Sequence, residues 1–344
     1  MCPATKGGYL NTKVLSVGVF RRHGYAHHWQ GIRLGFDAIE GVDLVEQDYR
    51  LSVEADSTTN RANKPDDLAA REIRDIRPDV VLFCIQDAIT DNMLAAAKDV
   101  GAFTAFWYCD IREPKPRDLS GRLDFLAMTN AGYREKYANA WNLGADRIVW
   151  LPQACLPRAE IADRDPDLGT DILFIGSWSH PDYHESRRRV LDGITNRFGT
   201  TFVTDRDQYN QGPRPTRATF YNMQSDQEKE SLTRNLPALY ASTRIAVGVS
   251  VPIAGYHSNR LFLATGHGAC YVCNDFPGIE QLFDPTVEIM TFATKTLADG
   301  VAACLGQDPK TLRQIARAGF VRAQADHTYP VRIRELWECI QRRR

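Results

Sequence analysis

Short apolar runs alternate with longer segments of helical periodicity through the first 150 residues. The runs are rich in β-branched and aromatic residues and too short for helices, so they predict buried strands. These strands are predicted at 13–20, 42–49, 79–85, 102–110, 123–130 and 146–153. Helices are predicted between them at 29–41, 67–78 and 91–101. Strands that alternate with helices indicate a parallel sheet with helices on both faces.

The same pattern starts again after a segment rich in proline and aspartate at 157–169. Strands are predicted at 171–177, 244–251 and 268–274, and helices at 185–199, 236–243, 259–268, 277–283 and through most of 310–344. The polar segment 205–235 is predicted to be rich in turns. Two successive α/β units predict two Rossmann-like domains, an N-terminal one at 1–156 and a C-terminal one at 157–326, followed by a last segment at 327–344.

The composition is that of an ordinary globular protein. Of the 344 residues, 43% are hydrophobic and 25% are charged, and the formal net charge is −1, which lacks the overall basic excess of a nucleic-acid-binding domain. No apolar run reaches the ~20 residues of a membrane helix, and the first residues lack the apolar core of a signal peptide. We therefore expect a soluble cytoplasmic protein without a membrane span.

The eight cysteines do not form a disulfide framework in a chain of this length. Cys270 and Cys273 form a single C-x-x-C pair inside an apolar run. A structural zinc site needs four ligands, usually from two such pairs. The pair is therefore interpreted as two reduced core residues, and no metal site is predicted.

Candidate catalytic residues follow two strands of the N-terminal unit. His23, His27 and His28 come soon after the first strand, which contains Gly18, and Asp110 lies at the end of the strand predicted at 102–110. Ligands of open parallel sheets bind at the carboxyl ends of the strands, where a histidine or a carboxylate can accept a proton from a hydroxyl group. His23, His28 and Asp110 are thus candidates for proton transfer or for holding an acceptor, and Gly18 is a candidate for contact with a donor.

Candidate phosphate-binding residues lie in the C-terminal unit. Gly176 and Ser177 form a turn after a buried strand, where backbone N–H groups can approach a phosphate closely. Arg260 begins an apolar helix beside Tyr256 and Ser258, and a guanidinium group suits a diphosphate that gains negative charge as it leaves.

A second turn of the C-terminal unit runs from Asp275 to Glu280. It joins a strand end to a predicted helix start, so the amides of Gly278 and Ile279 are candidates for binding phosphate or sugar hydroxyls. The Glu280 carboxylate is a candidate acceptor of hydrogen bonds from a ribose diol.

The C-terminal half resembles the donor-binding region of group 1 glycosyltransferases, and specifically the CgeB-like (spore maturation protein) branch. The residues that carry the resemblance are Trp107, Asp110, Gly176, Ser177, Arg260, Phe262, Gly266, Gly268, Asp275, Pro277, Gly278, Glu280, His327, Thr328 and Tyr329. The resemblance implies a GT-B fold, in which two Rossmann-like domains face each other across a cleft and the C-terminal domain binds a nucleotide-sugar. It also implies a reaction without a metal or other cofactor. The apolar stripe of the segment 327–344 is expected to cross back onto the N-terminal domain.

One position departs from the pattern of the family. An acidic residue usually follows the Arg-x-Phe of the family helix, and this chain has Leu263 there. Retaining enzymes of group 1 use two glutamates in this region, and Glu280 is the one that remains. Retention and inversion of the sugar therefore both stay open.

The sequence predicts sugar transfer from a nucleoside diphosphate to a hydroxyl acceptor, with two alternatives. Arg206, Arg214, Arg217 and Arg234 lie among aromatic residues in the segment 205–235, as in nucleic-acid-binding surfaces. This favours a phage-type transferase that modifies 5-hydroxymethylated bases in DNA. Leu263 favours a non-catalytic protein that binds a nucleotide or a sugar.

Overall fold

The computed structural model describes residues 11–18, 26–48, 65–84, 89–176, 184–204, 218–222, 226–251 and 253–344. These residues form two six-stranded sheets, and every pairing between neighbouring strands is parallel. The predicted architecture of two Rossmann-like α/β domains is therefore confirmed.

The N-terminal sheet has the strand order β2-β1-β3-β4-β5-β6. Its strands are β1 Thr12–Gly18, β2 Val42–Asp48, β3 Val80–Phe83, β4 Phe103–Tyr108, β5 Phe125–Met128 and β6 Ile148–Trp150. Its helices are α1 Ala26–Asp37, α2 Pro65–Ile76, α3 Asp91–Asp99 and α4 Arg134–Trp141. The buried strand residues alternate between two apolar clusters, one on each face of the sheet. Burial on both faces explains why these strands appear in the sequence as continuous apolar runs.

The C-terminal sheet has the strand order β12-β11-β10-β7-β8-β9. Its strands are β7 Thr170–Ile175, β8 Thr200–Thr204, β9 Ala218–Asn222, β10 Thr243–Gly248, β11 Tyr271–Asn274 and β12 Met290–Phe292. Its helices are α5 His184–Thr195, α6 Asp226–Ser242, α7 Asn259–Gly266, α8 Leu297–Leu305 and α9 Pro309–Asp326. The last helix, α10 Tyr329–Gln341, follows α9 after two residues.

The prediction for the segment 205–235 is wrong in part. The edge strand β9 pairs with β8 in register from Thr200–Ala218 to Thr204–Asn222, and α6 begins at Asp226, ten residues before the predicted helix. Pairing with a neighbouring strand stabilises β9 despite its polar surroundings, which is an effect of tertiary context that local composition does not report. The helix predicted at 277–283 is only a 3₁₀ turn at Ile279–Gln281.

Helix α10 packs on the N-terminal domain. Its buried residues Tyr329, Ile333, Leu336, Trp337 and Ile340 lie in one apolar cluster with residues of α1 and of the N-terminal strands. A Cβ atom at Gly31 of α1 would overlap the Tyr329 ring, and one at Gly35 would overlap Ile333. The two helices therefore approach so closely that both positions need glycine.

Backbone hydrogen bonds hold the chain where it crosses between the domains. The N–H of Cys155 donates to the carbonyl of His327 at 2.9 Å, and the N–H of Tyr329 donates to the carbonyl of Cys155 at 3.0 Å. The buried Arg332 donates to Nδ1 of His327 at 2.9 Å, so Nε2 carries the proton and donates to the carbonyl of Leu282 at 2.8 Å. No helix among the described residues is long and apolar enough to cross a membrane.

Candidate functional site

The carboxyl end of β7 forms the centre of the candidate donor site. The strand ends at Ile175 and continues into Gly176, whose φ of 142° favours glycine. A Cβ atom at Gly176 would overlap the guanidinium group of Arg260. Glycine is therefore needed both for the backbone conformation and for the approach of this side chain. Ser177, the second residue of the predicted turn, lies outside the described residues.

Arg260 lies in the first turn of α7 and is 9% exposed. Its Nε donates to the carbonyl of Ile175, and its Cζ lies 4.3 Å from the centre of the Phe174 ring. Its buried Nη1 has no hydrogen-bond partner among the described residues. A buried N–H group of a cation without an acceptor is costly, and an anionic ligand would supply the acceptor.

The predicted neighbours of Arg260 lie on the loop before α7. Ser258 is the N-cap residue of α7, but its side chain makes no capping hydrogen bond. Tyr256 is buried, and its backbone N–H donates to the carbonyl of Ile253 at 3.0 Å. Both residues thus lie near the positive end of the α7 dipole, where an anion is stabilised.

Asn274 joins the carboxyl ends of β10 and β11. Its buried side chain accepts from the N–H of Ser250 at 2.7 Å and donates to the carbonyl of Ser250 at 3.1 Å. Asn274 was not among the site residues predicted from the sequence. An amide at the end of a buried strand is the signal that could have identified it.

The turn after Asn274 contains the other predicted donor residues. Gly278 has a φ of 94°, a conformation that needs glycine, and it is buried together with Ile279. Asp275 and Glu280 are exposed, and Glu280 lies within the 3₁₀ turn. The turn leaves both carboxylates accessible to a ligand, and their roles stay predictions.

On the N-terminal side, Asp110 follows β4 and is half exposed. Its Oδ1 accepts from the N–H of Ile111 at 2.8 Å, and its Oδ2 lies 3.1 Å from Nε of Arg112. The buried Asn130 donates to the carbonyl of Asp110 at 3.4 Å. The structure thus presents this carboxylate at the carboxyl edge of the N-terminal sheet.

His28 has an interior position. Its Nδ1 lies 3.1 Å from the hydroxyl of Tyr329, and its ring packs against Trp107 with centroids 5.3 Å apart. Burial lowers the pKa of His28 to about 4. These contacts favour a role in holding α10 on the N-terminal domain over a role in proton transfer.

The other predicted residues of the N-terminal domain are distributed differently. His23 lies outside the described residues, as does the side chain of His27. Gly18 ends β1 and therefore belongs to the N-terminal sheet, whereas every other predicted donor residue that is described belongs to the C-terminal domain.

The described part of the chain contains no metal-binding cluster and no reactive C-x-x-C pair. No group of three or more histidine, cysteine, aspartate or glutamate residues is placed to hold a metal ion there. Cys270 and Cys273 are buried and form no disulfide. Burial raises the pKa of Cys270 to about 12 and that of Cys273 further, so both are thiols at neutral pH.

Leu263 is buried in the core of the C-terminal domain. It is 4% exposed and belongs to the same apolar cluster as Phe262 and Leu261. The side chain that replaces the acidic residue of the family pattern therefore contributes to packing.

Comparisons with known proteins agree with this architecture. Residues 205–338 match the family model described as Glycosyl transferase-like. No curated protein matches the sequence at a significant level.

Three solved structures share the fold over almost the whole chain. A glycosyltransferase from Rickettsia africae has a TM-score of 0.66 at 12% identity, covering 97% of this chain and 99% of that one. Anabaena HepE in complex with UDP-glucose has a TM-score of 0.69 at 12% identity, covering 96% and 100%. A UDP-forming α,α-trehalose-phosphate synthase from Burkholderia xenovorans in complex with glucose-6-phosphate has a TM-score of 0.60 at 10% identity, covering 96% and 100%.

The matching structures show the GT-B fold, and the part of the chain at 205–338 is similar to a family of the glycosyltransferase class. Within that class, membership of the CgeB-like branch stays a prediction.

The positions of two buried histidines and one partly buried histidine predict that stability depends on pH. Burial lowers the pKa of His28 and His327 to about 4 and that of His257 to about 3. Between pH 6.5 and about 4, the unfolded chain therefore binds more protons than the folded protein, so stability falls as the pH falls. Each histidine contributes about 1.4 kcal/mol per pH unit at most.

Urea unfolding at pH 7.0 and pH 5.5 tests this prediction. The midpoint is expected to fall at pH 5.5, and the fall is expected to be smaller in the variant His327→Gln. Equal midpoints at the two pH values would show that the fold does not hold these histidines in their neutral form.

Proposed function

We propose that the protein transfers a sugar from a nucleoside-diphosphate sugar to a hydroxyl group of an acceptor. The observation that carries the proposal is the buried Arg260, whose guanidinium group lies at the glycine turn that ends β7 and whose Nη1 has no hydrogen-bond partner among the described residues. A cation that is fixed before the reaction stabilises negative charge that develops in the transition state. The diphosphate leaving group of a nucleotide-sugar develops such charge.

The donor is held by the C-terminal domain in this proposal. Arg260 binds the diphosphate together with the N-terminus of α7, and the amides of the turn at Gly278 bind phosphate or sugar hydroxyls. Glu280 accepts hydrogen bonds from the ribose, and Asp275 lies beside the sugar. The structural relative HepE is complexed with UDP-glucose, which supports a uracil nucleotide as the first donor to test.

The acceptor is held by the N-terminal domain in this proposal. Asp110 is accessible and lies at the edge of the sheet where open α/β folds bind ligands. Its carboxylate orients the acceptor hydroxyl and takes its proton in an inverting reaction. In a retaining reaction, the leaving phosphate takes that proton, and Asp110 only orients the acceptor.

A binding panel tests the donor. UDP, GDP, ADP, dTDP and CDP are added to the purified protein, and thermal unfolding is followed. The matching nucleotide at a hundred times its Kd stabilises the folded state by about 2.7 kcal/mol. UDP release from UDP-glucose then shows whether the bound donor is consumed. No stabilisation by any of the five nucleotides would contradict the proposal.

The variant Asp110→Asn is expected to slow sugar transfer by about 10²-fold or more if the carboxylate is the base, while the Kd for the nucleotide stays unchanged. Donor binding is unaffected because Asp110 lies on the other domain. The measurements are UDP release and calorimetric titration with UDP. Asp118→Asn is the control, since Asp118 is an exposed aspartate of the same domain that accepts from Ser120. A weakened UDP affinity with normal transfer at saturation would refute the placement.

Activity is expected to survive EDTA, because we propose that Arg260 and the backbone amides stabilise the leaving diphosphate without a metal ion. The rate of UDP release is compared before and after dialysis against EDTA. Complete loss that a divalent ion restores would contradict the metal-independent form of the proposal.

A further inference from the structure

The two domains are joined by hydrogen bonds at the loop between β10 and α7. The N–H of Gly132, in the N-terminal domain, donates to the carbonyl of Ala254 at 2.7 Å. The indole N–H of Trp150, at the end of β6, is shared between the carbonyl of Gly255 at 2.9 Å and the carbonyl of Thr129 at 3.3 Å. The loop of the C-terminal domain is thus bound at two adjacent carbonyls.

Two glycines allow this close approach. A Cβ atom at Gly132 would lie 2.9 Å from Cγ2 of Ile253, and one at Gly255 would lie 2.8 Å from Cβ of Ala131. Gly255 also has a φ of 68°, which favours glycine for its conformation. The backbones of the two domains therefore touch at this point, and a larger residue at either position would separate them.

The same loop supports the turn that follows β11. The N–H of Gly255 donates to the carbonyl of Pro277 at 3.1 Å. The ring of His257 packs on Phe276 with centroids 4.8 Å apart, and it lies 6.4 Å from the Trp150 ring. Residues 255–257 of the loop therefore lie between Trp150 and the turn at 275–280 and contact both.

On the N-terminal domain, the residues of this contact are linked to Asp110. Gly132 belongs to the 3₁₀ turn at Ala131–Tyr133. Asn130 caps this turn, because its side-chain oxygen accepts from the N–H of Tyr133 at 2.9 Å. Asn130 also donates to the carbonyl of Asp110. Hydrogen bonds and short stretches of backbone thus connect the backbone carbonyl of Asp110 to the donor-side turn.

We infer that Trp150 is a positioning residue that couples the two halves of the site. It fixes the loop at 253–257, and this loop fixes the turn at 275–280 relative to the N-terminal domain. The assignment of a nucleotide-sugar to that turn rests on the proposed function, but the contact between Trp150 and the loop does not. Coupling of this kind is reciprocal, so a nucleotide on the C-terminal domain also orders residues 131–133 of the N-terminal domain.

The first test measures hydrogen exchange without any nucleotide. The variant Trp150→Phe keeps an aromatic ring and removes the indole donor. Its backbone amides at 253–257 and 276–281 are expected to exchange about three- to tenfold faster than those of the wild type, as the loss of one hydrogen bond implies. The matched control is Trp141→Phe, because the indole of Trp141 donates to Lys115 within the N-terminal domain at 3.2 Å. The control is expected to leave both segments unchanged.

The second test adds UDP. In the wild type and in Trp141→Phe, UDP is expected to slow exchange at 276–281 and also at 131–133. In Trp150→Phe, the protection at 131–133 is expected to disappear, and the Kd for UDP is expected to rise about three- to tenfold. The Kd rises because the turn at 275–280 is more mobile in this variant and must lose that conformational freedom when UDP binds.

The outcomes separate the inference from the proposed function. Equal behaviour of Trp150→Phe and Trp141→Phe in both tests would overturn the positioning role. UDP protection at 276–281 that never extends to 131–133 in the wild type would overturn the coupling. A difference between the two variants without nucleotide, together with no effect of UDP on the wild type, would contradict UDP as the nucleotide and still support the positioning role.

Discussion

Replacement of Arg260 by alanine is expected to reduce the rate of donor cleavage about 10²–10³-fold, the usual cost of losing one donor that stabilises a developing anion. The effect follows from the position of the guanidinium between the Phe174 ring and the Gly176 turn. The measurement is UDP release from UDP-glucose at saturating donor, combined with calorimetric titration of UDP. A normal rate in a folded variant would remove Arg260 from the mechanism.

Two further variants separate catalysis from folding. Arg244 lies at the opposite end of the same sheet, where it donates to the carbonyl of Leu305 at 2.7 Å. Arg244→Ala is therefore expected to lose stability without a change in rate. Arg260→Lys keeps the positive charge but lacks the planar group that spans Phe174 and the Ile175 carbonyl. It is expected to recover only part of the rate.

Deletion of residues 328–344 is expected to prevent stable folding. Helix α10 buries Tyr329, Ile333, Leu336, Trp337 and Ile340 against the N-terminal domain, and each such side chain contributes about 1.5–3 kcal/mol on burial. Their sum is similar to the whole stability of a typical protein, about 5–15 kcal/mol. Circular dichroism during thermal unfolding is the measurement. A truncated protein that melts like the full chain would show that α10 is dispensable.

A shorter deletion and a point variant serve as controls for this experiment. Removal of 342–344 eliminates the ion pair of Arg344 with Asp79 and the contact of Arg343 with the Phe125 ring. Exposed contacts of this kind contribute about 1 kcal/mol or less, so the melting temperature is expected to change little. Leu336→Ala keeps the helix and is expected to cost about 2–5 kcal/mol.

The sequence identified those strands whose residues are buried on both faces. β3, β4 and β10 form continuous apolar runs, because parallel sheets covered on both faces need such runs. β8, β9 and β12 were not predicted. β8 and β9 lie at one end of the sheet and are rich in threonine and polar residues, while β12 has three residues. Each of them pairs with the strand that precedes it in the chain, and this pairing stabilises them in a way that local composition does not report.

The candidate site could be predicted only where its residues have a local signature in the sequence. Gly176 and Arg260 are recognisable because a glycine turn after a strand and an arginine at a helix start have local signatures. Trp150 has no such signature, and Asn274 has only its place at the end of a buried strand, since their roles depend on Gly255 and Ser250, which tertiary structure brings to them. His28 is a case in which a local pattern was misleading. The dense cluster of histidines predicted a role in proton transfer, whereas His28 packs under α10.

The packing of α10 on the first sheet has a consequence for synthesis. The ribosome produces residue 329 about 180 residues after β6 is complete, which takes roughly 10–40 s at ~5–20 residues per second. During that interval the face of the nascent domain that includes Val14, Val80 and Trp107 lacks its covering helix. The domain that is translated first is therefore completed last, and its open apolar face is the surface that a chaperone would bind while the second domain emerges.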